Sequence, residues 1–172
     1  MTPEQAQVVV QLYCQDAATE APTTRKVIAA VPAAKGAYAP HPTSTSALDL
    51  AWHIASSEVW FLNGVAAGNF PMEENKRPDS VRTPADVLAW YDSHFGPALE
   101  AARNISPELA AREIDFFGVV KLPNALYLGF MIKHSVHHRG QLSAYLRPMG
   151  AKVPSIYGGS ADEPFEAAAA TA

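Results

Sequence analysis

Apolar residues recur at helical spacing through four long stretches of the chain, and strict alternation is scarce. In the first stretch, Val8, Leu12, Ala18 and Val27 with their neighbours outline a stripe. In the second, Leu48, Ala51, Trp52, Ala55, Val59 and Leu62 recur at steps of three and four. Val87, Leu88, Trp90, Tyr91, Phe95 and Leu99 do the same in the third. The last, Leu126 to Leu146, is apolar over most of its girth. That places it at the centre of a bundle or at a dimer face.

Capping residues mark where these helices begin. Thr2-Pro3, Thr83-Pro84 and Ser106-Pro107 each set a hydroxyl before a proline. The hydroxyl accepts an otherwise orphaned N–H, and proline at the first helical position has no N–H to leave unpaired. Gln5 and Asp86 stand where a capping box wants its polar partner. Thr43 to Ser46, with Asp49 behind, is a fourth start, and Pro123 opens a fifth. These signals predict helices over roughly 3–31, 45–66, 84–103, 107–113 and 123–147. Turn-rich connections fill Val31 to Pro42, Gly68 to Pro84 and the stretch after Pro148. No strand and no internal repeat is predicted. The expected fold is all-α: a four-helix bundle with long loops and a short extra helix, rather than a strict up-and-down series. One domain is expected over residues 1–165, followed by an Ala-rich tail over 166–172.

Composition narrows the function. A chain of 172 residues with 48% hydrophobic content can bury a full core. The net charge of -4, with no basic run, gives no reason to expect nucleic acid as a partner. Apolar runs stop well short of a bilayer span, so no membrane association is expected. Met1 to Gln5 is polar and lacks a basic segment before an apolar block, so a cytoplasmic location is expected. Cys14 stands alone, which excludes an internal disulfide and a multi-cysteine zinc site. Within an apolar helical pattern it reads as a small buried hydrophobe rather than a nucleophile.

Three of the six histidines fall between positions 134 and 138. His134 and His138 are four apart, so on a helix they stack on one face, one turn apart. Two imidazoles so placed can reach one metal ion. His53, inside the apolar second helix, is the best third ligand, because an unpaired ring there would be costly. The bland alternatives are a core histidine bonded to a carbonyl or carboxylate, and a solvated pair. A site of His53, His134 and His138 would leave open positions on the metal, as catalysis requires.

The neighbours read less sharply. His137 is about 100° off the His134/His138 line; it reads as an interface or supporting residue, with a fourth ligand as the alternative. Arg139 would salt-bridge another helix or, less favoured, anchor an anionic substrate; Lys133 is the other candidate anion contact. Gln141 can hydrogen-bond near the metal or cap the stack. His94 reads as solvated, and His41 lies in a loop. Trp52, Trp60, Phe61 and Tyr145 read as core. Glu58 is five residues after His53 and so points away from it, while Asp162 and Glu163 could fold back toward the site. No residue receives a general acid or base role. His-Glu-x-x-His, Glu-x-x-His, P-loop and Gly-x-Gly-x-x-Gly patterns are all missing, which disfavours a zincin protease and a carboxylate-bridged di-iron bundle.

His53 in a helix after a Ser/Thr-rich start, then His134-Ser135-Val136-His137-His138-Arg139-Gly140-Gln141-Leu142, resembles the DinB/YfiT-like family. The tail from Tyr145 to Gly150, and from Val153 to Glu163, is similar to one branch of it. The resemblance runs from Val8 to Glu163. It implies a four-helix bundle, often a homodimer, with a divalent metal, zinc or nickel, on a site that maps onto His53, His134 and His138. Some members transfer low-molecular-weight thiols or isomerise substrates with a thiol cofactor. The expectation is therefore a metal-dependent enzyme acting on a small molecule, by transfer of an external thiol or by hydrolysis. The alternatives are a non-catalytic metal-binding or stress-related bundle, and a plain bundle whose histidines are core or interface groups.

Overall fold

The computed structural model describes residues 1–72 and 76–164; the expected Ala-rich tail over 166–172 lies outside the described residues. Four long helices form the bundle: α1 (Pro3–Ala29), α2 (Ala47–Ala67), α3 (Pro84–Arg103) and α5 (Leu126–Leu146). The short α4 (Pro107–Ala111) and a hairpin of β1 (Glu113–Phe116) and β2 (Val120–Pro123) sit between α3 and α5. The caps form as the sequence predicts. Thr2 with Gln5, and Thr83 with Asp86, close capping boxes, and the Ser46 hydroxyl accepts the Asp49 N–H at 3.2 Å. Gly68, with φ 69°, ends α2 in the left-handed region that glycine enters without a steric penalty.

The order around the bundle is not the order along the chain. α1 and α2 both pack against α3 and α5, and so lie on a diagonal. The long connection from Ala30 to Ser46 makes that crossing.

Three expectations need correction. The stretch 113–123 is a hairpin, not a loop with a helix start. Its strands have four residues each and only Ile114 is buried, too little alternation to register as a pattern. Pro123 closes β2 instead of opening α5, which begins at Leu126. In α1, Val8 and Leu12 are 69% and 63% exposed, so they do not belong to the core stripe. The buried face runs through Ala6, Val10, Cys14, Ala17, Thr24, Val27 and Ile28, mostly small residues that let α1 lie close to its neighbours. Cys14 is a core residue there, as expected.

At one end of the bundle Trp60, Phe61, Phe70, Phe116 and Tyr127 pack edge-to-face and offset. Gly64 makes room for this cluster: a Cβ there would stand 2.3 Å from the Phe70 ring. Phe70 is itself hemmed in by the other rings. Gly64→Ala is expected to cost about 1–3 kcal/mol through overpacking, despite alanine's better helix propensity. Urea denaturation beside wild type measures it.

Asp162 and Glu163 do fold back, but not toward the histidines. Asp162 pairs with Arg147 at 2.9 Å, and Glu163 pairs with Lys26 of α1. They strap the C-terminal segment to the bundle.

Candidate metal centre

His53 of α2 and His134 and His138 of α5 meet where these two helices pack. The Nε2 of His53 lies 3.1 Å from the Nε2 of His134 and 3.3 Å from that of His138. Among the described residues, this trio is the group of three or more His, Cys, Asp or Glu side chains whose ligand atoms lie together, all within 4.8 Å. Imidazole–zinc bonds of about 2.0–2.1 Å set ligand nitrogens about 3.3–3.4 Å apart in a tetrahedron. The observed spacings therefore suit one small divalent ion.

The surroundings prepare the rings for that role. Gln141 donates from its amide nitrogen to the Tyr145 hydroxyl at 3.3 Å, which turns its Oε1 toward the Nδ1 of His138 at 3.0 Å. His138 thus donates from Nδ1, and its Nε2 presents a lone pair to the cluster. Ser57 Oγ stands 3.4 Å from the Nδ1 of His53. Burial, with the neighbouring imidazoles His138, His53 and His137 adding to it, pushes His134 down to about 3. Burial first and His138 second push His53 down as well. Both rings are neutral at pH 7 and offer lone pairs without competition from protons.

A model of the DinB family matches residues 5–167. The chain belongs to the DinB family. The uncharacterized protein YrdA of Bacillus subtilis (strain 168) is 31% identical over 115 residues, covering 66% of this chain and 67% of YrdA. The uncharacterized protein YjoA of the same organism is also 31% identical over 115 residues, covering 66% of this chain and 73% of YjoA. The crystal structure of a DinB-like protein, YjoA, from Bacillus subtilis superposes with a TM-score of 0.67 at 23% identity, covering 86% and 96% of the two chains. That of a DinB-like protein from Bacillus cereus ATCC 10987 gives 0.66 at 26%, covering 84% and 95%. The bundle expected from periodicity is the fold of the DinB family.

In this DinB-family chain two cavities reach the cluster. One, of about 590 Å³, is bounded by His53 and His134 and walled by Trp52, Trp60, Trp90, Phe116 and Phe117. The other, of about 570 Å³, touches His53 and His138 and is lined by polar groups that include Gln141, Asp49 and Arg77. Trp52 and Phe61 are buried as expected of core residues, but with the half-buried Trp60 they also form cavity wall.

Other histidines stay apart. His137 is exposed and packs edge-on against the His138 ring, outside the cluster. His94 is exposed, donates to the Trp90 carbonyl at 2.7 Å and stacks on the Trp90 ring. His41 bonds Thr43 in its loop. Arg139 is 1% exposed and pairs with Glu20 of α1, so the salt-bridge reading holds.

Glu58 points away from His53, as its spacing predicts, into the centre of the bundle, where it takes a role that spacing alone does not show. Its carboxylate accepts hydrogen bonds from Thr24 of α1 at 2.8 Å, from Tyr91 of α3 and from Ser135 of α5. With Glu58 on α2, one residue from each long helix joins this network, and Ser135 adjoins His134 in sequence. The signal was present: a glutamate inside an apolar helix face is buried only when it is paired.

Proposed function

We propose that this protein binds one zinc or nickel ion through His53, His134 and His138 and uses it in catalysis on a small molecule. The convergence of three imidazole nitrogens beside two cavities supports the reading most directly. A purely structural site is normally closed by a fourth protein ligand. When bound, the ion would act as a Lewis acid and lower the pKa of a thiol or water that it holds.

Both thiol transfer and hydrolysis fit such a site. Among the described residues, two carboxylates line the polar cavity: Asp49, engaged by Arg77 at 2.7 Å and by Ser46 at 2.6 Å, and the exposed Asp79. Hydrolysis would call on such a carboxylate as a general base, whereas a metal-held thiol needs none once ionised. The chain's own parts then divide the work. The histidines hold the ion, Gln141 fixes the tautomer of His138, and the rings exclude water from one side. Cys14 supplies no thiol, because it is buried in the core within α1.

The test is turnover of L-cysteine with 1-chloro-2,4-dinitrobenzene by zinc- or nickel-loaded protein, followed as thioether formation. The expected result is a metal-dependent rate that His134→Ala abolishes. Equal rates for loaded wild type and His134→Ala would overturn the catalytic reading. Gln141→Ala is expected to weaken zinc binding about 10–100-fold by freeing the His138 ring. Competition with a chromogenic chelator reads that loss.

A further inference from the structure

The strongest feature outside the histidine cluster is the tip of the hairpin. Phe117 has φ 58° and Gly118 has φ 72°. Two successive residues with positive φ make the turn suited to a tight hairpin, in which the first place normally goes to Asn, Asp or Gly. A phenylalanine there is strained. The interior of the protein does not explain the choice, because Phe117 is 39% exposed. Its ring instead lies within 19° of parallel to Trp60, at 6.3 Å, on the wall of the cavity that His53 and His134 bound. Asp115 braces the turn by accepting the Gly118 N–H at 2.8 Å.

The rest of that wall agrees. All three tryptophans of the chain, Trp52, Trp60 and Trp90, line it. Among the described residues the one charged side chain on the lining that is not a histidine is the exposed Lys76. The volume of about 590 Å³ is that of a small-molecule site. Aromatic walls favour flat rings, which can stack or pack edge-on against them.

We propose that this cavity binds a planar aromatic group of the substrate, and that Phe117 is a specificity-determining residue held in a strained turn to complete the wall. The proposal deepens the catalytic reading by naming the substrate class. Its link to the reaction rests on that reading, because the ring's substituent would reach the metal beside His53 and His134. The binding itself can be measured without metal.

The experiment uses the full chain stripped of metal with EDTA. The three tryptophan indole N–H signals are followed in ¹H–¹⁵N NMR spectra during titration with 2-naphthol, with cyclohexanol as the non-planar control. Wild type and Phe117→Tyr are expected to show saturable shifts with 2-naphthol, and cyclohexanol to give at least tenfold weaker binding. Phe117→Gly, which relieves the turn but removes the ring, is expected to bind 2-naphthol at least fivefold more weakly, while its urea midpoint is unchanged or higher. Unsaturable shifts in wild type, equal affinity for cyclohexanol, or undiminished affinity in Phe117→Gly would each overturn the proposal. His138→Ala, which lies off this wall, keeps the two readings separable. It should lose metal yet bind 2-naphthol as wild type does. A wild type that holds metal but not 2-naphthol would refute the aromatic site and leave the metal site standing.

Discussion

Glu58→Ala is expected to lower folding stability by about 3–5 kcal/mol, and Glu58→Gln by much less. The alanine leaves the hydroxyls of Thr24, Tyr91 and Ser135 without their common acceptor, in the interior where water cannot replace it. It also opens a void at the point where all four long helices meet. Glutamine keeps the volume and one carbonyl oxygen. The two variants therefore separate the loss of packing and hydrogen bonds from the loss of charge. Urea denaturation followed by circular dichroism measures both. Equal, small effects would mean that the network is incidental to stability.

The same residue makes stability depend on pH. Burial pushes the Glu58 carboxyl above its ordinary value of 4.5, although Ser135, Tyr91, Thr24 and Arg139 oppose the rise. A group whose pKa is raised on folding contributes stability that is fully present below the unfolded value. That contribution is lost as pH rises through the folded value. Glu58→Gln removes the titration. Its stability relative to wild type should thus improve from about pH 4.5 upward.

The second large effect is on metal affinity. His53→Ala, His134→Ala and His138→Ala are each expected to lose zinc or nickel by more than the roughly 10–100-fold that loss of an outer partner costs. His94→Ala should bind as wild type does, because its ring is stacked on Trp90 at the surface. Competition titrations against a chelator of known affinity rank the four. The circular dichroism of each variant should match wild type, since His53, His134 and His138 are only partly buried. Equal retention in all four would sink the ligand assignment.

Much of the architecture could be read from periodicity and caps, because both are local. Thr83, Pro84 and Asp86 set the start of α3 at the residue expected. The pairing of His134 with His138 follows from helical geometry alone, and His53 stood out as a polar ring within an apolar helix. What escaped was non-local. The apolar residues Val8 and Leu12 suggested a buried face, yet a line of small residues beside them packs closer. Pro123 looks like a helix start, but its extended backbone pairs with Glu113 across the hairpin. The acceptor role of Glu58 needs partners 33 to 77 residues away in the chain. The aromatic-walled cavity, too, exists only after Trp60 on α2, Trp90 on α3 and Phe117 on the hairpin are brought together.

Elemental analysis by mass spectrometry of untagged wild-type protein, as purified and after reconstitution with zinc or nickel, tests the central claim most directly. A site built from His53, His134 and His138 predicts about one divalent ion per chain. No bound metal in either preparation would contradict it and leave the three histidines as structural groups of the bundle.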